Sequence, residues 1–230
     1  MKKIITTFLL YVAVISAQQV DPNLILENVK EKLNKVEDYS VEALVKVDVN
    51  FLKVPDSKAT LYFKKPDKMK MESDGFALLP RQSFSFSPAM LLRENHTAVF
   101  AKEDTVDGKD VYLIKILPMS DSTEIILSNL WIDKKEYIVR KIETSTKKAG
   151  TITINLFYDD QIGYALPSQM KVSFKIEGVD IPSEMNQDTD DNKRLWKNAK
   201  MSGSVTIEYE NYKVNQGIDD EFFNEEKKAK

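Results

Sequence analysis

The sequence predicts a mainly β protein with helices, an α+β chain built on one strongly curved antiparallel sheet. Three observations predict it. One clear amphipathic helix stands near the amino terminus, and apolar residues then alternate with polar ones at period two over most of the chain. Short polar turns join these stretches, with no long helices between them, which argues against a parallel sheet. About ten long strands leave an inside that must be filled, and the helix supplies part of the filling.

Residues 1–17 read as a secretory signal. Lys2 and Lys3 precede an apolar run around Phe8, Leu9, Leu10, Val12 and Val14, and small Ser16 and Ala17 are followed by Gln18 and Gln19. The run is too short to span a bilayer permanently. Cleavage after Ala17 leaves residues 18–230 as a single domain. Without cysteine that domain has no disulfide and no site for a lipid anchor. A soluble, unanchored protein of a bacterial periplasm is expected.

The helix is expected over Pro22–Asp38, with Asp21 as its cap, Pro22 in the first position, and Ile25, Leu26, Val29, Leu33 and Val36 at helical spacing. From Tyr39 the period changes. Val41, Ala43, Val45, Val47 and Val49 form one face of a long strand, and Ala59, Leu61 and Phe63 one face of a second that stops at Pro66. Met69 and Met71 mark a third. Residues 97–106 and 111–117 pair across Asp107-Gly108, a hairpin turn. Residues 130–133 and 138–146 flank the turn Lys134-Lys135-Glu136. Residues 151–158, 169–177 and 204–212 complete the series. Ser87–Glu94 is a short second helix suited to a plug or lid, and residues 181–203 read as a polar surface excursion.

The composition excludes much chemistry. No cysteine means no thiolate metal site and no thiol nucleophile, and one histidine, His96, builds no multi-histidine centre. Seven glycines, none clustered, form no phosphate loop, and 33 basic against 36 acidic residues do not mark a nucleic-acid binder. His96 has no motif-spaced serine or aspartate beside it, and Asn95-His96-Thr97 is a glycosylation sequon only in a eukaryotic secretory pathway. Asp188, Asp190 and Asp191 lack the glycine and closing glutamate of a calcium loop. Asp159-Asp160 and Asp219-Asp220 sit where turns favour aspartate. No catalytic residue, metal or cofactor is assigned. The informative signal is apolar: Phe76, Leu78, Leu79, Phe84, Phe86, Met90, Leu91 and Leu92 fall in loop or short-helix sequence. Such groups line binding cavities as readily as cores, and methionine adapts to varied shapes.

Leu61-Tyr62-Phe63-Lys64-Lys65-Pro66-Asp67-Lys68-Met69 resembles the strand–Lys/Arg–Pro–turn–strand segment of the LolA-like periplasmic carriers of outer-membrane lipoproteins. Leu130-Trp131-Ile132-Asp133 with Ile138-Val139-Arg140-Lys141-Ile142 is similar to a hairpin of that superfamily. Tyr209-Glu210-Asn211-Tyr212-Lys213-Val214-Asn215 with Ile218-Asp219-Asp220 and Phe222 resembles its closing strand and tail. The resemblance implies an unclosed half-barrel with an amino-terminal helix and a short helical lid on its concave side, enclosing an apolar cavity for acyl chains. It implies a non-enzymatic, monomeric carrier of lipid or lipoprotein acyl chains that meets inner- and outer-membrane sorting proteins. The family's arginine before the proline, which hydrogen-bonds to the lid, is here Lys65, the candidate lid contact.

On that reading the cavity is lined by Leu61, Phe63, Met69, Met71, Phe84, Phe86, Met90, Leu91, Leu92 and Trp131, assigned by period-two alternation. A second reading is a lipid-responsive envelope sensor or adaptor that binds a membrane-protein partner.

Overall fold

A computed structural model of the protein describes residues 20–49, 52–53, 55–73, 88–93, 95–120, 123–147, 150–177 and 200–223. The expected signal segment lies outside the described residues.

Helix α1 spans Pro22–Leu33, and the Asp21 carboxylate accepts the amide of Asn23 at 2.9 Å. It stops earlier than the expected Asp38. The amides of Lys35 and Val36 turn back onto Lys32 and Leu33, and Asp38 is already paired with Lys64 in the sheet. Val36, which fits the helical period, is buried from this turn rather than from the helix.

The strands are β1 (Asp38–Val49), β2 (Leu52–Lys53), β3 (Ser57–Lys64), β4 (Lys68–Ser73), β5 (His96–Val106), β6 (Lys109–Pro118), β7 (Ile125–Asp133), β8 (Val139–Thr146), β9 (Thr151–Phe157), β10 (Gln169–Glu177) and β11 (Lys200–Val214). Helix α2 is Pro88–Leu91, and 3-10 turns lie at Asp160–Tyr164 and Glu221–Phe223. The antiparallel order is β4-β3-β1-β11-β10-β9-β8-β7-β6-β5, with β2 paired to β1. Two meanders are thus joined where β11 pairs with β1. The edges, β4 and β5, are consecutive in the chain, so the connection holding α2 links one edge of the sheet to the other.

The sheet is an open, curved half-barrel. Lys32 in α1 donates to the Glu136 carbonyl in the β7–β8 turn at 2.6 Å. Two residues on, the Asn34 carbonyl accepts from Lys65 in the β3–β4 turn at 2.6 Å. In a flat sheet those turns would lie about six strand spacings, or roughly 29 Å, apart. One helix end reaches both because the sheet curls round it.

Hairpin chemistry is met as expected at Asp107-Gly108, both with positive φ (49° and 72°), the I′ geometry. At the β7–β8 turn, buried Asp133 accepts the amides of Lys135 and Glu136, each at 2.9 Å, and its other oxygen accepts from Arg140 Nε at 2.7 Å. Residues 200–203 correct the expected excursion: they belong to β11 and pair with Phe174–Glu177 of β10. There Gly203 lets β11 press against β1, because a Cβ on it would sit 2.6 Å from the Asp48 carbonyl oxygen.

Candidate functional site

Alternation across ten paired strands turns one continuous apolar face toward α1. The register aligns Met71 with Leu61, Leu61 with Val41, Ala43 with Tyr209 and Val45 with Ile207. It continues through Met170, Leu156 and Ile154 to Ile142, Leu130 and Ile114. Ile25, Leu26 and Val29 of α1 join this core, as do Leu91 and Leu92 of the α2 region.

Burial along the face is uneven. Val41, Ala43 and Val45 of β1 are buried, but Val47 is half-buried. Met170 of β10 is buried, and Val172 and Phe174 beyond it are half-buried. On β11 Ile207 is buried and Val205 half-buried. These residues form a partly open apolar strip at the end of the face away from the turn that α1 caps, whereas half-buried Met71 on the edge strand stands level with Val41. Sequence reading missed Val47, Val172, Phe174 and Val205. Their alternation was visible, but their partial exposure depends on where the helix lies.

At the opposite end of the face stands an aromatic cluster. Tyr39 stacks on Phe63 (centroids 5.3 Å apart) and meets Tyr212 edge-on (5.8 Å), and Tyr209 lies 6.1 Å from Tyr212. The hydroxyls of Tyr158 and Tyr212 donate to the carbonyls of Val139 and Pro167 at 2.7 and 2.9 Å. Burial pushes the Tyr39 phenol up to about 12, and pushes Tyr158, Tyr209 and Tyr212 higher still. All four are neutral at physiological pH.

The expected lining residues fall into three groups. Leu61, Phe63, Met69 and Met71 share the inner face of the β3–β4 hairpin. Leu61 is core (4% exposed), Phe63 and Met71 are half-buried, and Met69, on the edge strand, is 44% exposed. Leu91 and Leu92 are buried in the same core, and Met90 lies in α2. Phe84 and Phe86 lie outside the described residues, as do Asp188, Asp190 and Asp191.

Trp131 is placed elsewhere. On β7 Leu130 and Ile132 face α1, so Trp131 turns to the other face and packs with Val111 and Leu113. Its indole donates to Asp104 at 3.2 Å, and the Lys141 ammonium lies 4.3 Å from its ring. With apolar residues at three successive positions, alternation does not choose between the faces.

The Lys65 side chain has its polar partners among the described residues at the end of α1 and beyond it, not in α2. Its ammonium reaches the Asn34 carbonyl at the end of α1 and Glu37 (2.9 Å). The segment after α2 meets this turn from the other side: Arg93 donates to the Pro66 carbonyl and lies 3.9 Å from the Asp67 carboxylate. His96 begins β5 opposite Pro118. Asp219 caps the Glu221 amide at 3.0 Å. No cluster of potential metal ligands occurs among the described residues.

The fold is shared with solved structures of low sequence identity. A DUF1329 family protein from Desulfovibrio piger aligns with a TM-score of 0.60 at 16% identity, over 89% of this chain and 98% of that one. A domain described as an outer membrane lipoprotein-sorting protein, from Vibrio parahaemolyticus, gives 0.60 at 13%, over 89% and 97%. A LolA superfamily protein from Nitrosomonas europaea gives 0.54 at 12%, over 89% and 98%. No curated protein sequence matches the chain. A family model described as "uncharacterized protein" matches residues 89–227, more than half of the chain. The protein therefore belongs to that family, and its fold is LolA-like.

Proposed function

We propose that the protein is a non-enzymatic periplasmic carrier, exported by its amino-terminal signal, that shields lipid or lipoprotein acyl chains against the inner face of the half-barrel. The observation that supports this reading is the continuous apolar face, sealed under α1 at one end and half-buried at Val47, Val172, Phe174 and Val205 at the other. An acyl chain offers no hydrogen-bonding groups along its length, so what holds it is apolar area and adaptable side chains. Each methylene taken out of water contributes about 0.8 kcal/mol. Leu61, Phe63, Met69, Met71, Leu91 and Leu92 belong to the lining or its rim on this reading, together with Phe84, Phe86 and Met90. The carrier acts as a monomer and exchanges cargo with sorting proteins of the inner and outer membranes.

The test is native mass spectrometry of the purified protein together with titration of a fluorescent fatty acid. Co-purified lipid or saturable uptake is the expected result. An empty protein that takes up no probe overturns the reading.

A further inference from the structure

The outward face of the β3–β4 hairpin carries an unusual demand for negative charge. Lys64 and Lys68 are directly opposed across the strands, and Lys70 follows two residues on, opposite Tyr62. Like charges in a direct cross-strand pair repel. Glu72 answers Lys70 at 3.2 Å, and the segment after β11 answers the other two. The Asp220 carboxylate bridges Lys64 (2.6 Å) and Lys68 (2.9 Å), and the two lysines hold its carboxyl below the usual carboxylate range. Two residues on, the Phe222 ring packs edge-on against Tyr62 (4.6 Å) beneath the Lys70 ammonium (3.9 Å). The carbonyls of Ile218 and Phe222 accept from Lys64 (2.7 Å) and Lys70 (3.3 Å).

These contacts read side chain and backbone together, as a receptor reads an extended peptide. The segment hangs from a firm pivot: buried Asp38 accepts the amides of Gln216, Gly217 and Ile218. Beyond the pivot the Asp220 carboxylate is 60% exposed, so its two ion pairs are individually weak and exchangeable.

We propose that Tyr62, Lys64, Lys68 and Lys70 form a binding surface for peptide segments carrying a carboxylate followed two residues later by an aromatic ring, and that residues 218–223 occupy it in cis until such a segment of a partner protein displaces them. The inference does not depend on a lipid ligand. It does couple partner to interior, because the same hairpin turns Leu61, Phe63, Met69 and Met71 inward.

The probe is a fluorescein-labelled peptide of the sequence of residues 217–223, added to the full chain. Asp220→Asn with Phe222→Ala vacates the surface, and this variant is expected to bind the probe at least 10-fold more tightly than the unaltered chain. Adding Lys64→Gln and Lys68→Gln abolishes the gain, and raising salt from 50 to 500 mM weakens binding about 10-fold. A folded, vacated variant with no gain, or a gain that survives loss of both lysines, overturns the proposal. Should the variant not fold, the unaltered chain decides. Excess unlabelled peptide must speed carboxypeptidase digestion of its carboxy terminus relative to a scrambled peptide, and equal digestion rates overturn the proposal.

Discussion

Arg93, three residues before β5, donates a hydrogen bond to the carbonyl of Pro66 in the β3–β4 turn, so the connection between the sheet's two edges is tied back to one of them. The Arg93 side chain is half exposed and its ion pair with Asp67 is long, at 3.9 Å. Arg93→Ala should therefore lower unfolding stability by less than about 1 kcal/mol. The same change should raise the entry and release rates of a fluorescent fatty acid several-fold in stopped-flow measurements. Unchanged rates would mean that this tie does not govern access to the interior.

Core and strip are separable by substitution. Leu61→Ala should cost about 2–5 kcal/mol in urea denaturation, because Leu61 is buried between β1 and β4. Phe174→Asp, on the half-buried strip, should cost less and yet reduce fatty-acid uptake at least 10-fold. Equal losses of stability and uptake in both variants would argue that the strip is ordinary core.

Asp133 anchors the β7–β8 turn. Burial alone would raise its pKa, but the Glu136 amide, the Arg140 guanidinium and the Lys135 amide outweigh burial and hold it below the usual carboxylate range. A depressed pKa stabilises the fold above the unfolded value near 3.9, and that contribution disappears as pH falls through the folded value. Asp133→Ala should destabilise by about 3 kcal/mol at neutral pH, since it strands Arg140 and two amides. The difference from the unaltered chain should shrink in urea titrations as pH falls below the ordinary carboxylate range.

The tyrosine cluster governs the alkaline limit. Folded phenols with raised pKa keep their protons after the unfolded chain has lost its own, so stability is fully present below about pH 10 and falls as pH rises further. With Tyr39 at about 12 and three more phenols above it, melting temperature should drop steeply between about pH 10 and 12. Tyrosinate absorbance should appear together with unfolding. Smooth titration of these phenols in a still-folded protein would contradict their burial.

Gly203→Ala tests the close approach of β11 to β1. The new Cβ would clash with the Asp48 carbonyl, which is backbone and cannot swing aside, so a loss of about 1–3 kcal/mol is expected by thermal denaturation. A neutral result would show that the strands separate without cost.

Most of the architecture was legible because alternation and turn chemistry are local. The hairpin at Asp107-Gly108, the Asp21 cap and the shared face of Leu61, Phe63, Met69 and Met71 all follow from neighbours within a few positions. What escaped was set by distant partners. Trp131 fell on the other face because the run Leu130-Trp131-Ile132 is apolar on both sides, and only pairing with Leu113 and Lys141 fixes its direction. Residues 200–203 looked polar and irregular, but β10 supplies the partner that makes them strand. The position of Lys65 was visible in the sequence, whereas its partner at the end of α1 depends on how far the sheet curls.

The pairing of β1 with β11 also sets a timetable. A chain made from its amino terminus produces β1 before the other described strands, yet one whole side of it stays unpaired until β11 has been made. The meander from β5 to β10 can zip up from neighbours alone, but joining the two halves must wait for β11. Long-range pairings of this kind close slowly. From the completion of β6 until β11 is made, the protein is two unjoined pieces of sheet, and the apolar inner face becomes continuous only when β11 pairs with β1.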